Sequence, residues 1–296
     1  MSLRDYSRAI ECFNQSLLVH RYDSTFSQLG ECLIQMGEYQ LALDHYSIAL
    51  ESSPKNLDFL AKTGLLYFSR GEHDKALLYF GRALCHDPLY AKALLPLCAL
   101  HQILDEPDAA LIKYRITVLQ HINSPYLWNN IGMCFYQKEK YVAAAACLKH
   151  AHYLLPFSFT IKFNLGLVHL KSGHYCSAAV YFEAAAMQDP SSVEAWMWLA
   201  MALAQLQDRS AARAAFDKAF RLKRTEPRLN LNYAVALYNW GDSDTLCLEY
   251  VRPIVESAES DLLAKSLTVE EIELARHLLA AVSSSSSSSS DGMAVE

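Results

Sequence analysis

The chain has 296 residues, a formal net charge of −6 and 52% hydrophobic residues. This hydrophobic content excludes general disorder, and the mixing of acidic and basic residues argues against nucleic-acid binding, which requires a basic surface. The apolar stretches are too short to span a membrane, and the charged N-terminus does not resemble a secretory signal. The eight cysteines form no CxxC pair and are expected to be reduced thiols.

The first predicted element, at 1–22, is a single helix. Ala9 and Phe13 lie in it with the same spacing as a small and a large residue that recur downstream. It therefore corresponds to the second helix of a helical pair, helix B, without its helix A. We expect further repeats upstream of it, so the sequence is either a fragment or a truncated gene model.

A period of 34 residues governs the segment 23–260. Small residues recur at two positions of each period, twelve residues apart, and a large apolar residue follows four positions after the second one. The small residues predicted to set the packing are Gly30, Gly64, Gly132, Gly166, Ala42, Ala76, Ala144, Ala178 and Ala212. Two helices approach closely only where side chains are small, and a large side chain then fills the space beside the crossing.

This period and residue pattern are the signature of the tetratricopeptide repeat. The fold class predicted is all-α, a tetratricopeptide-repeat superhelix or α-solenoid of about seven repeats with flanking helices. The units begin at 23, 57, 91, 125, 159, 193 and 227. Glycines such as Gly37 and Gly173 are expected to end helix A in a left-handed conformation, and prolines such as Pro54 to follow helix B.

A C-terminal helix is predicted within 261–282, where it would cap the last repeat. Thr268 and Glu271 have the spacing of a capping box at its start. The remaining segment, 283–296, begins with a run of eight serines and is predicted to be disordered.

No catalytic motif is present, and no enzymatic activity, cofactor or metal site is predicted. The closest approach to a ligand cluster is the pair His150 and His152, with His174 and Cys176 a second example. Residues two apart on a helix point to different faces, so neither pair can bind one metal ion.

Helix A of each repeat is expected to line a concave groove. In the later repeats the groove positions are largely apolar, whereas in the early repeats they are mostly polar. The residues predicted to form a partner-binding groove are Tyr126, Asn129, Asn130, Met133, Tyr136, Phe163, Asn164, Leu167, Leu170, Met197, Trp198, Met201, Leu231, Asn232, Val235 and Tyr238. An exposed apolar strip of this size favours a protein partner, with Trp198 as its anchor. The alternative is that neighbouring helices or the C-terminal helix cover it.

The asparagines of this set also allow two interpretations. They either bind the backbone of a partner peptide or bond neighbouring helices across the repeat junctions. The cation and asparagine clamp that chaperone cofactors of this repeat class use for a terminal carboxylate is missing, because Glu194 and Trp198 stand where two cations are required.

Beyond the repeat pattern, segments such as 127–135, 164–170 and 230–239 resemble the Bardet–Biedl syndrome protein 4 family, a tetratricopeptide-repeat subunit of the BBSome. The resemblance implies a cytoplasmic scaffold that supports trafficking of ciliary membrane proteins and transport at the basal body and centrosome, including centriolar satellites. It implies other BBSome subunits as partners, among them a second tetratricopeptide subunit and a small threading chain, with pericentriolar material and dynein–dynactin components in addition.

Two other functions remain open from the residues alone. The chain could be a scaffold subunit of another complex, of the cell-cycle ubiquitin ligase type. It could also be the substrate-recruiting arm of a glycosyltransferase. The sequence does not identify the cargo or the segment that occupies the groove.

Overall fold

The computed structural model describes residues 3–20, 22–242, 244–259 and 267–290. Within these residues the fold is all-α, with sixteen helices and no strand. The chain divides into two compact units, Met1–Lys140 and Tyr141–Glu296. The predicted fold class, a tetratricopeptide-repeat solenoid, is confirmed.

The first unit contains eight helices. They are α1 (Leu3–Val19), α2 (Asp23–Met36), α3 (Tyr39–Ser52), α4 (Leu57–Ser69), α5 (His73–His86), α6 (Ala91–Ile103), α7 (Pro107–Gln120) and α8 (Pro125–Gln137). Helix A begins at 23, 57, 91 and 125, so the predicted 34-residue register is present in the structure. The N-terminal helix α1 packs on α2 through Ile10, Phe13 and Leu17.

The second unit contains the other eight. They are α9 (Tyr141–Leu154), α10 (Phe159–Lys171), α11 (Tyr175–Gln188), α12 (Val193–Gln205), α13 (Arg209–Leu222), α14 (Pro227–Trp240), α15 (Asp244–Glu259) and α16 (Val269–Ser290). The predicted repeat that begins at 125 is thus divided, with α8 in the first unit and α9 in the second. Within each unit the helices pack mainly on their neighbours along the chain.

Close crossings between helices A and B occur at the predicted glycines. A Cβ atom added to Gly64 would lie 2.6 Å from the Phe80 ring, and one added to Gly166 would lie 2.6 Å from the Phe182 ring. At Gly30 the corresponding atom would lie 2.3 Å from Tyr46. The large residue of each repeat therefore packs directly on the small one, sixteen residues earlier. The alanines Ala42, Ala76, Ala144, Ala178 and Ala212 are all fully buried.

Helix termini follow from local chemistry. Asn56 and Ser192 accept hydrogen bonds from backbone N–H groups of the first turn that follows them. Gly37, Gly71, Gly173 and Gly241 have positive φ at the end of helix A, as predicted. The remaining three repeats adopt the same left-handed conformation without glycine, at Asp105, Glu139 and Gln207. The left-handed conformation of these three residues was not predicted, because none of them is glycine.

The C-terminal helix begins as predicted. The Thr268 backbone N–H donates to the Glu271 carboxylate at 2.7 Å, and the Glu271 N–H donates to the Thr268 hydroxyl at 3.2 Å. The helix packs on α15 and α14, and Arg228 of α14 forms an ion pair with Glu271.

The prediction of disorder from residue 283 differs from the structure, in which α16 continues through the serine run to Ser290. Extending an existing helix requires no new nucleation, so residues of modest helix propensity can prolong it. Residues 291–296 lie outside the described part of the chain.

Candidate partner-binding surfaces

Two faces of helix A are candidate binding surfaces. The late face consists of the partly or fully exposed groove residues of α10, α12 and α14 in the second unit, namely Phe163, Leu167, Leu170, Trp198, Met201, Asn232, Val235 and Tyr238. The early face consists of polar residues of α2, α4 and α6 in the first unit, namely Ser27, Glu31, Asp58, Lys62 and Lys92.

Part of the predicted apolar strip is buried in the protein. Met197 and Leu231 are buried, with 3% and 2% of their surface exposed, so their assignment to an open groove is corrected. Both occupy the fifth position of helix A. Met197 belongs to a core cluster with Phe182 of α11 and Phe216 of α13, and Leu231 to a cluster with Val251 of α15.

Trp198 is half-buried and packs in the core of the second unit. Its ring stacks on that of Phe182, with centroids 6.4 Å apart and an interplanar angle of 20°. Phe163 contacts the same Phe182 ring edge-on. The indole therefore contributes to packing between helices, which is the alternative to its role as a binding anchor.

The remaining late face is a half-exposed apolar surface. Leu167, Met201 and Val235 recur at the ninth position of successive A helices, each partly buried. Tyr238 is the most exposed member, with 48% of its surface accessible. A methionine among branched residues gives this surface an adaptable shape.

The groove residues on α8 belong to the first unit. Tyr126 is exposed, while Asn130, Met133 and Tyr136 are partly buried. Lys138 follows α8 and forms an ion pair with Asp108.

The predicted asparagines lie largely within the protein. Asn129 and Asn164 are buried. The Asn129 amide donates to Asn130 Oδ1 at 3.2 Å, and the Asn232 amide contacts Met197 Sδ of the preceding repeat at 3.3 Å. The contact of Asn232 agrees with the interpretation that these side chains join adjacent repeats.

An ion network covers the early face. Lys62 contacts Glu31 at 2.7 Å, Asp58 at 2.9 Å and the Ser27 hydroxyl. Lys92 contacts the other oxygen of Asp58 at 2.7 Å. Burial raises the pKa of Asp58, but hydrogen bonds from Lys92 and Lys62 outweigh it, so the pKa is below its usual value. The network joins the A helices of three successive repeats.

Two cavities adjoin this network. One, of about 440 Å³, lies between α2, α3 and α4 and is lined by Glu31, Ile34, Tyr39, Tyr46, Lys62, Leu65, Leu66, Ser69 and Arg70. The other, of about 600 Å³, is also lined by Glu31 and Ile34 and extends to Tyr6 and Phe13 of α1. The groove predicted from the sequence lies in the later repeats, and the polar positions of the early repeats did not indicate these cavities.

Tyr46 forms the floor of the smaller cavity. Its hydroxyl is buried and has no hydrogen-bond partner within the described residues. Burial raises the pKa of Tyr46 to about 12; Lys62 lowers it, while Glu31 and Asp58 raise it. The phenol is therefore neutral at physiological pH.

Other chemistry is limited in the part of the chain that the structure describes. No group of three or more His, Cys, Asp or Glu side chains could hold a metal ion there. None of the described helices is long and apolar enough to cross a membrane. All eight cysteines are unpaired thiols, and burial raises the pKa of Cys98 and Cys134 to about 12.

Sequence comparisons extend the assignment beyond the fold. The tetratricopeptide repeat family model matches residues 28–94 and 163–242. The chain is 41% identical over 248 residues to the BBSome complex member BBS4 of Bos taurus, which corresponds to 84% of this chain and 48% of that protein. The Mus musculus protein of the same name is 42% identical over the same shares. For bbs-4 of Caenorhabditis elegans the identity is 30% over 72% of this chain and 46% of that protein.

Solved structures show the same architecture. A tetratricopeptide repeat protein from Parabacteroides merdae aligns with a TM-score of 0.69 and 16% identity, covering 86% of this chain and 98% of that one. The anaphase-promoting complex tetramer Cut9–Hcn1 gives a TM-score of 0.66 and 17% identity, covering 94% of this chain and 54% of that one. At these identities the likeness concerns the fold alone. The chain spans about half the length of the curated BBS4 relatives it matches.

Proposed function

We propose, from the premise that this chain is a tetratricopeptide-repeat protein homologous to the BBS4 members of the BBSome, that it is a non-enzymatic scaffold for protein–protein interaction in that complex. The observation that carries the proposal is the 41% identity over 248 residues. The finer part of the proposal is support of ciliary membrane-protein trafficking and of transport at the basal body, centrosome and centriolar satellites.

The proposed partners follow from the same homology. They are the other BBSome subunits, including a second tetratricopeptide subunit and a small threading chain, together with pericentriolar material and dynein–dynactin components. The two helix A faces supply surfaces for such partners. Tyr238 and its half-exposed apolar neighbours favour contact with an apolar segment, whereas the early face offers charged groups and cavities.

Co-purification tests the proposal. The tagged chain is expressed in ciliated cells, and its associated proteins are identified by mass spectrometry. We expect BBSome subunits to be recovered with the unaltered chain. Absence of every BBSome subunit, with the chain folded and soluble, would overturn the proposed membership.

A pair of variants locates the interaction. Tyr238→Glu introduces a charge on the late face, and Val180→Glu introduces the same charge on the exposed side of helix B, where Val180 is 64% accessible. We expect Tyr238→Glu to reduce recovery of BBSome subunits and Val180→Glu to leave it unchanged. Equal recovery with both variants would exclude Tyr238 from the interface.

A further inference from the structure

In the second unit, helix α9 presents a stripe of exposed side chains along its outward side. The stripe consists of Val142, Ala146, Lys149 and Tyr153, which follow one another at intervals of four, three and four residues. This is the spacing by which one helix packs on another in a coiled coil. Val142 and Tyr153 are 89% and 80% exposed. Helix α9 therefore presents to solvent the kind of face that helices use for packing.

Helix α11 presents the same stripe one repeat later. Val180 and Met187 in it are 64% and 70% exposed. The ring of His152 on α9 contacts the ring of Tyr181 on α11 edge-on, with centroids 6.2 Å apart. The two helices are thus neighbours, and their stripes lie side by side. The exposed residues of the α11 stripe are Cys176, Val180, Glu183 and Met187.

The apolar character of these stripes is not a general property of helix B. The equivalent positions of α13 are also exposed but hold Ser210, Ala214, Asp217 and Arg221. Single exposed apolar residues are common on protein surfaces, whereas adjoining apolar stripes indicate an interaction surface. We call the outward stripes of α9 and α11 together the helix B face.

Two opposite charges lie in the middle of the helix B face. Apart from the histidines of α9, Lys149 and Glu183 are the only basic and acidic residues of these two helices, and they occupy equivalent positions. Neither forms an ion pair or a hydrogen bond within the described part of the chain. Near the C-terminal ends of the two helices, Lys162 contacts Gln188 at 3.0 Å, and Asp189 accepts from a backbone N–H of its own turn.

We propose that the helix B face binds the same face of a second copy of this chain. A two-fold axis between α9 and α11, parallel to both, sets α9 of each copy on α11 of the other, running in the same direction. Lys149 of each copy then faces Glu183 of the other. Tyr153 likewise faces Met187, and sulfur–aromatic contacts of this kind are favourable.

The charge pattern favours a second copy as the occupant. A partner face with charge of one sign would repel either Lys149 or Glu183, and like charges in an interface are costly. A copy related by the two-fold axis supplies the opposite charge at both positions and apolar side chains around them. The inference goes beyond the proposed function, because the helix B face is separate from the two helix A faces proposed for BBSome partners.

Reversal of the two charges tests the pairing. Two helices of 14 residues form a small interface, so we expect the full chain to dimerise with a Kd on the order of 10 µM, measured by sedimentation velocity. Lys149→Glu and Glu183→Lys each bring like charges together, and each should raise the Kd at least about tenfold. An equimolar mixture of these two variants has opposite charges at both contacts, so it should dimerise as the unaltered chain does.

A matched control is Asp217→Lys, which reverses an exposed charge at the equivalent position of α13. We expect it to leave the Kd unchanged. Thermal melts of all three variants should agree with that of the unaltered chain, because neither Lys149 nor Glu183 has an ion-pair partner to lose.

Three outcomes would overturn the inference. A chain that stays monomeric at about 100 µM would leave the helix B face to a different protein. A dimer that tolerates both charge reversals would use another surface, and failure of the mixture to dimerise would exclude the Lys149–Glu183 pairing. Val180→Glu should also prevent dimerisation while BBSome subunits are still recovered, so failure of this inference is distinguishable from failure of the proposed function.

Discussion

The early repeats and the late repeats share one packing geometry but present different helix A faces. Gly64 meets Phe80 in the first unit with nearly the same geometry as Gly166 meets Phe182 in the second. On the early face, Asp58 and Lys62 belong to an ion network beside two cavities. On the late face, apolar side chains pack on one another and leave a half-exposed apolar surface. Internal packing and surface chemistry are therefore set by different positions of the same repeat.

The largest expected effect concerns the late face. Trp198→Ala removes a ring that stacks on Phe182, and we expect it to lower the free energy of unfolding by about 2–3 kcal/mol. Denaturant unfolding measures this loss. Tyr238→Ala, on the same face but 48% exposed, should cost less than about 0.5 kcal/mol. If Trp198→Ala preserves stability yet abolishes binding of a partner, the indole is a binding anchor after all.

The shared geometry predicts equal effects in the two units. Gly64→Ala and Gly166→Ala each place a Cβ atom 2.6 Å from a buried phenylalanine, so each should cost about 1–3 kcal/mol. Gly81→Ala is the control, since an added Cβ there meets nothing within 4 Å and alanine favours the helix by roughly 0.5–1 kcal/mol. Thermal melts of the three variants measure these changes in stability. A clear difference in melting temperature between Gly64→Ala and Gly166→Ala would show that the two crossings are not equivalent.

The stability that the early face contributes should decrease at acidic pH. Asp58 has a lowered pKa in the folded protein, so the stability it contributes is present above its unfolded value of 3.8 and is lost as the pH falls below that value. Asp58→Asn should cost about 1 kcal/mol at pH 7, less at high salt, and should weaken the acid dependence.

Unfolding at pH 7 and at pH 3 measures the effect. Asp74→Asn, which changes an exposed aspartate on the adjacent helix α5, is the control. An identical acid dependence in both variants would show that the network adds nothing to stability.

The smallest expected effect is a gain in stability. Gln207 has a φ of 62° where four other repeats have glycine, and a left-handed conformation is costly for a side chain with a Cβ. Gln207→Gly should stabilise the protein by about 0.5 kcal/mol, because the relief of strain exceeds the entropy cost of glycine. Gln205→Gly, in the helix just before, should instead destabilise it by up to about 1 kcal/mol. A calorimetric melt in which both variants lose stability would show that Gln207 is unstrained.

The repeat register could be predicted because it depends on side-chain volume. Gly30 and Tyr46 indicate a helix crossing by their size alone. The capping box at Thr268 could be recognised from the hydrogen-bonding groups of its side chains. The burial of Met197 could not be predicted in the same way. Phe163 and Met197 both stand at the fifth position of helix A, but Phe163 is partly exposed and Met197 is buried, so the position within the repeat does not decide burial.

The cavities of the first unit also could not be predicted from the sequence. Ile34 and Tyr46 line one cavity of the first repeat, whereas Gln102, 68 residues after Ile34, accepts a hydrogen bond from Tyr114, and only the structure shows that these side chains lie together. The turn at Glu139 was missed for a different reason. A position that requires a left-handed backbone is recognised by its glycine, and there the strain is carried by a residue that gives no such signal.

The packing of each helix on its neighbours along the chain has a consequence for how the protein forms. Since most contacts join segments close in sequence, only short loops need to close before native packing begins. A pair of helices can therefore fold soon after it leaves the ribosome, with the preceding pair as its template. Synthesis from the N-terminus would complete the ion network of the early face before the late face exists.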